Sequence, residues 1–266
     1  MRSFSFVLIV VITLVSCGKV PTAEPDQPFE HFVGDFESGN INGFHYLVPD
    51  TSYNTVVVSN PVRRGIFALK NTLRPEDFIN NGYRAEFAIY DCAKYQTDVF
   101  YGFSVMIDTG YTDMQFNLLC QWQDLPYYIQ GEAWQPTPVL HGSSPPLALV
   151  YADGNLELVM NENPNSDNNT FTVGNPLPIV KGQWYDVVFH MYWSDDNTGF
   201  VEAWINGTSV TPFNGTDNKF YRRNIFNRTG NYFKFGQYRG HEQPAHTNTV
   251  YFDEVRIGTS YAEVAP

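Results

Sequence analysis

The stretch Tyr232-Phe233-Lys234-Phe235-Gly236-Gln237-Tyr238-Arg239 alternates at the two-residue period of a β-strand. Phe233 and Phe235 face one way and suit a core. Tyr232, Lys234, Gly236 and Tyr238 face the other. That second face offers an ammonium, a phenol and a glycine gap where a ligand can approach the backbone. Lys234 and Tyr238 lie roughly 13 Å apart on a strand that rises about 3.3 Å per residue. Such a spacing matches successive units of an extended chain, and a phenol is a workable proton-transfer group.

The same alternation recurs in other segments. In Tyr83–Tyr90, the residues Tyr83, Ala85, Phe87 and Ile89 are expected inside, with Arg84 and Glu86 outside. In Gln115–Gln123, Phe116, Leu118, Cys120 and Trp122 are expected inside, and Asn117, Gln121 and Gln123 outside. In Trp184–Trp193, Val187, Phe189, Met191 and Trp193 form the apolar set, while His190 and Tyr192 point away from it. Beyond the N-terminus no long 3.6-period apolar stripe occurs, and 20 Gly, 17 Pro and repeated Asn-Gly and Asp-Gly pairs break the chain into short pieces. With 266 residues, 43% hydrophobic and 16% aromatic content, and no internal repeat, the expected fold is all-β. The pattern predicts one jelly-roll sandwich of two antiparallel sheets over residues 30–266.

The N-terminus reads as a targeting segment. Arg2 precedes the apolar run Phe4–Val15, which is too short for a comfortable membrane span. Its ending, Leu14-Val15-Ser16-Cys17, resembles a bacterial lipobox. That resemblance implies a signal peptide over 1–16, lipidation of Cys17, a flexible tether over 17–29 and a lipid-anchored place in the cell envelope; the plainer reading is an ordinary signal peptide with a chance cysteine. The formal net charge of −12 and the lack of any basic run exclude a general nucleic-acid binder. A few Lys and Arg gathered in a cleft still set a local potential. Cys92 and Cys120 form either one disulfide or two buried thiols, and no Cys/His zinc spacing is present. The aromatic-rich stretch 125–144 is long enough to be a functional loop. Asn206-Gly207 is the preferred pair for a tight hairpin turn.

Taken in order, Tyr83-Arg84-Ala85-Glu86, Cys120-Gln121-Trp122-Gln123, Ser144-Pro145-Pro146-Leu147-Ala148-Leu149 and Tyr232–Tyr238 resemble the motifs of the β-jelly-roll polysaccharide lyases. These are the heparin lyase I, glucuronan lyase and alginate lyase type, with ulvan-active relatives. The resemblance implies a concanavalin A-like sandwich and β-elimination on a uronate-containing, marine algal, ulvan-like polysaccharide or oligosaccharide. Lyases of this kind remove the C5 proton of a uronate and expel the C4 substituent, which requires cationic or amide groups around the neighbouring carboxylate. By resemblance Tyr238 is the proton shuttle and Lys234 acts beside it. Arg84, Glu86, Gln121, Gln123 and Asn117 line subsites, and Arg239 serves a carboxylate or sulfate.

One departure stands out. Many relatives carry His where this chain has Gln123, which cannot titrate. His141 or His190 then supplies a base, or Tyr238 does both jobs. Two other functions fit the same residues: a dehydratase that expels water from a terminal sugar of ulvan-type oligosaccharides, and a non-catalytic glycan-binding lipoprotein. The bland reading of Arg84 with Glu86 is a cross-strand ion pair, and that of His190 a structural histidine. A paired-carboxylate hydrolase is disfavoured because Glu86 has no obvious acidic partner. Asp35, Glu37 and Asp253 resemble a structural calcium position where first and last strands meet; the alternative is acids in turns. No organic cofactor is expected.

Overall fold

The computed structural model of the chain describes residues 31–41, 43–48, 53–79, 82–126, 144–162, 170–210, 217–240 and 246–266. Two antiparallel sheets lie face to face. The large sheet runs in the order β13 (Thr208–Ser209), β12 (Phe200–Ile205), β11 (Trp184–Tyr192), β6 (Asp98–Ile107), β16 (Asn248–Gly258), β4 (Ala68–Leu73), β3 (Thr55–Val58). On it, β1 (Phe32–Gly34) pairs with β16, and β14 (Phe220–Tyr221) pairs with β12. The small sheet runs β10 (Thr170–Pro178), β9 (Asn155–Asn161), β8 (Leu147–Ala152), β7 (Asn117–Asp124), β15 (Asn231–Gly240), β5 (Gly82–Ala93), β2 (His45–Val48). The short helix α1 (Tyr261–Val264) packs on the outer face of the large sheet, where Gly102 leaves room beneath the Val264 carbonyl. This is the expected all-β jelly roll.

The alternating patterns meet between the sheets. Phe87 of β5 stacks on Phe235 of β15 with ring centroids 5.2 Å apart. Trp122 of β7 meets Phe189 of β11 edge to face at 5.0 Å. Tyr101 donates to the Cys92 carbonyl and accepts from Trp193 Nε1 at 3.0 Å, so its buried phenol, held well above the ordinary range by desolvation, is a structural group. Cys92 and Cys120 are both buried free thiols, and burial pushes the Cys92 thiol up to about 12. Asn206 (φ 50°) and Gly207 (φ 74°) make the tight β12–β13 turn that their sequence predicts.

The expected facing of β7 is corrected in its first half. Between Leu118 and Cys120, β7 advances two residues while β8 advances one. Leu119 is the extra residue, and it turns inward together with Cys120 and Trp122. N-terminal to the bulge every side chain therefore changes face. Phe116 and Leu118 lie on the outer face, in a small cluster with Ala148, Val150 and Tyr238. Asn117 points into the sandwich, fully buried, with Nδ2 3.5 Å from Gln237 Oε1. Gln237 in turn donates to the Asn71 carbonyl at 3.0 Å and lies on the side of β15 opposite Tyr238.

Candidate active site

The outer face of the small sheet brings together most of the polar residues read from the sequence. Register sets the pairs: Tyr238 lies across from Arg84, Gly236 across from Glu86, Lys234 across from Gln121 and Tyr232 across from Gln123. Glu86 is the hub. Its Oε2 stands 3.5 Å from both Arg84 Nη1 and Lys234 Nζ, and Gln121 Nε2 donates to its Oε1. Glu86, Gln121 and Lys234 are all buried, whereas Arg84 and Tyr238 are half-buried. One carboxylate thus holds two cations, with the buried Asp124 carboxylate close enough to act on Lys234 as well.

Tyr238 is held from three sides. Its ring rests on the apolar bed of Leu118 and Val150, and the Arg84 guanidinium carbon lies 4.4 Å from its centroid. On the third side Gly82 leaves space, since a Cβ there would stand 2.5 Å from Tyr238 Cε2. Sequence reasoning missed Gly82, which follows Asn80-Asn81 and reads as a turn glycine. It also missed the stacking of Tyr232 on Tyr90, centroids 5.0 Å apart, which roofs the Lys234 end. Gly82→Ala is expected to lower kcat by about ten- to a hundred-fold through displacement of the Tyr238 ring, with KM little changed. Kinetics in a Tyr238→Phe background check this, because there the Gly82→Ala penalty on kcat vanishes.

Lys234, expected to act beside Tyr238, is buried beneath that face against Glu86. Burial depresses its pKa first of all, Glu86 opposes this and Arg84 reinforces it. The folded chain therefore binds this proton less tightly than the unfolded chain does. Stability gains from Lys234 as pH rises through its depressed folded value, and the gain is complete above the ordinary lysine value of 10.5. Thermal melts across the alkaline range are expected to show a shallower rise, or a steeper fall, with pH for Lys234→Met than for the parent chain.

Other sequence-predicted residues fall elsewhere. Gln123 remains beside the hub strand and donates to Asp124 Oδ1 at 2.8 Å. Asn117 faces the interior, as above. Arg239 shares the inward side of Phe233 and Phe235; it is fully buried, donating to the His246 carbonyl at 2.9 Å and reaching Met114 Sδ at 3.2 Å. Its side of β15 is the wrong one for a ligand lying on Tyr238. His190 sits on β11 of the other sheet, its Nε2 2.6 Å from Asp98 Oδ1, so it shares no face with Tyr238. Sequence parity placed it outward correctly but carried no information on which sheet it joined. His141, Cys17, the tether and most of the 125–144 loop lie outside the described residues.

The acids expected at a calcium position act as loop caps. Glu37 accepts from Ile66 N at 2.9 Å and Phe67 N at 3.0 Å, and Asp35 accepts from Glu37 N at 3.1 Å. Asp253 accepts from Arg63 N, Arg64 N and Glu254 N at 2.9–3.1 Å, while burial pushes its carboxyl up to about 6. With these oxygens turned onto backbone N–H groups the trio does not fit a calcium ion. Among the described residues no group of three or more His, Cys, Asp or Glu stands together for a metal.

The fold is a two-sheet jelly roll that carries an arginine- and tyrosine-bearing face on its small sheet. A family profile described as polysaccharide lyase matches residues 36–256, and the chain belongs to that family of carbon–oxygen lyases. Among solved structures, it is similar to the endo-β-1,4-glucuronan lyase of the fungus Trichoderma reesei, at 22% identity and a TM-score of 0.65, covering 88% of this chain and 98% of that one. A family 7 alginate lyase, A1-II′, matches at 15% identity and a TM-score of 0.53, covering 78% of this chain and 84% of that one. So does the catalytic domain of a glycoside hydrolase family 131 protein from Coprinopsis cinerea, at 14% and 0.53, covering 84% of both chains. At these identities the likeness is one of fold. No curated protein matches the chain significantly.

Proposed function

We propose that the protein cleaves a uronate-containing polysaccharide by β-elimination on the outer face of the small sheet, with a β-1,4-linked glucuronate polymer as the preferred substrate class. The observation that carries this reading is the half-buried Arg84–Tyr238 pair, standing on the buried Glu86–Lys234–Gln121 base. Arg84 meets the uronate carboxylate and neutralises it, which acidifies the C5–H bond. Tyr238, as its phenolate, takes the C5 proton. The released electron pair forms the C4–C5 double bond, the C4–O4 bond breaks, and O4 receives a proton.

In a β-1,4-linked glucuronate, the C5 hydrogen and O4 lie on the same face of the ring. One phenolate can then remove the proton and, as the phenol so formed, return it to the leaving oxygen. That stereochemistry suits a chain whose strand beside β15 carries Gln123, which cannot titrate. Likeness in fold to a glucuronan lyase points the same way. The comparisons lend no support to a dehydratase.

The test is incubation with glucuronan, ulvan, alginate and heparin, following the ultraviolet absorbance of unsaturated uronate and the masses of the products. Shorter chains with new unsaturated ends, formed fastest from glucuronan, are expected. Binding without any new chromophore would overturn the enzymatic reading, and preference for ulvan would redirect the substrate to a sulfated, algal type. The Leu14–Cys17 motif further supports anchoring of the mature chain through Cys17. Cys17→Ala is expected to move the protein from the membrane to the soluble fraction of bacterial cells, and unchanged partitioning would remove the anchor.

A further inference from the structure

On the far side of the sandwich, the outer face of the large sheet holds an open depression of about 510 Å³. Phe100, His190, Glu202, Trp204, Gly207 and Tyr261 line it. Neighbouring strands place these side chains together: His190 of β11 lies between Phe100 of β6 and Glu202 of β12, and Trp204 follows Glu202 on the same face. The Asn206–Gly207 turn forms one rim, and α1 forms another. Tyr261 stands edge-on to Trp204 at 5.1 Å, in reach because Gly102 lets the helix settle onto the sheet.

The polar groups of the depression are fixed in place. His190 stacks on Phe100 at 3.9 Å and meets the edge of Phe200 at 4.9 Å. Its Nε2 lies 2.6 Å from Asp98 Oδ1 and its Nδ1 3.3 Å from Glu202 Oε2. A ring held by contacts on four sides is an unsuitable mobile base, but it is a good orienter of carboxylates. Glu202 Oε1, and the lone pairs that Glu202 Oε2 and Asp98 have left, are acceptors.

Aromatic walls beside oriented acceptors match a pyranose, which has apolar C–H faces and a rim of hydroxyl donors. The volume falls in the usual range of about 300–1,000 Å³ for small-ligand sites. The sign of the charge selects further. The Glu202 carboxylate in the lining disfavours a uronate, whereas the half-buried Arg84 guanidinium on the other sheet suits one. We infer that this depression is a second carbohydrate site, specific for neutral pyranose units and separate from the elimination cleft. Such a site tethers the enzyme to neutral stretches of a mixed glycan while the cleft works on its uronates.

Cellotetraose is the chosen probe, since it keeps a β-1,4-linked glucose backbone and lacks carboxylates. Titration of the full chain by saturation-transfer NMR and calorimetry is expected to show weak binding. Trp204→Ala is expected to weaken it about ten-fold, the worth of one lost aromatic contact. Glu202→Gln, which keeps size and leaves the strand pattern intact, is expected to weaken it about three-fold. Tyr238→Phe leaves cellotetraose binding unchanged, and neither Trp204→Ala nor Glu202→Gln alters turnover of short soluble uronate oligosaccharides. Absence of cellotetraose binding to the parent chain, or binding indifferent to both Trp204→Ala and Glu202→Gln, overturns the site. Loss of binding in Tyr238→Phe places the probe in the cleft and overturns it equally. Failure of the elimination assay leaves this titration untouched.

Discussion

Tyr238→Phe is expected to lower kcat/KM on a uronate polymer by about three orders of magnitude, with the circular dichroism spectrum and melting temperature nearly unchanged. The size follows from the role. General acid–base groups contribute about 10²–10⁴-fold, and here one phenolic oxygen serves both the removal of the C5 proton and the return of a proton to O4. The fold is spared because the ring keeps its bed on Leu118 and Val150 and its contact with Arg84. Loss in kcat with KM nearly constant marks an interaction made only in the transition state. Residual activity within ten-fold of the parent would remove Tyr238 from the proton transfer and leave it as a stacking platform.

Glu86→Ala is expected to produce the largest loss of stability on the sheet face, about 3–5 kcal/mol, because it strands a buried ammonium and a half-buried guanidinium without their shared carboxylate. Gln121 loses its acceptor at the same time. Chemical denaturation measures this directly. Glu86→Gln keeps the shape and one carbonyl acceptor, so it should recover part of the stability while Arg84 and Lys234 still repel each other. Both variants are also expected to lose activity as Arg84 drifts from Tyr238. A Glu86→Ala chain as stable as its parent would show that solvent, rather than Glu86, balances these cations.

The parts of this arrangement legible in the sequence are those governed by strict alternation. In β15 the inward Phe233 and Phe235 and the outward Tyr232, Lys234 and Tyr238 all stand as their parity dictates. In β5, Arg84 and Glu86 face out while Phe87 and Ile89 pack inside. In β11, the apolar set Val187, Phe189, Met191 and Trp193 is buried between the sheets. The failures have local physical causes. A single bulged residue, Leu119, sends Leu118 to the cleft side and Asn117 to the interior, and no residue type in Leu118-Leu119-Cys120 announces it.

Long-range pairing set the other limits. Parity states that His190 faces outward, but the neighbours of β11 are β6 and β12, so that outward face is the back of the molecule. Arg239 sits on the Phe233–Phe235 side, as strict alternation along β15 dictates, and is therefore turned away from a ligand on Tyr238. Burial depth was equally hidden. Lys234 and Tyr238 look alike as outward residues in a strand pattern, yet Tyr90 and Tyr232 cover the former while Arg84 and Gly82 leave the latter partly open.

The central claim is that the uronate carboxylate sits on Arg84 with its C5 hydrogen facing Tyr238. A crystal structure of the Tyr238→Phe chain with a β-1,4-linked glucuronate tetrasaccharide tests it most directly. The account predicts the sugar chain on the outer face of the small sheet, one carboxylate within hydrogen-bond reach of Arg84, and that unit's C5 over the ring at position 238. A tetrasaccharide bound elsewhere, or bound there with its carboxylates turned away from Arg84, would contradict it.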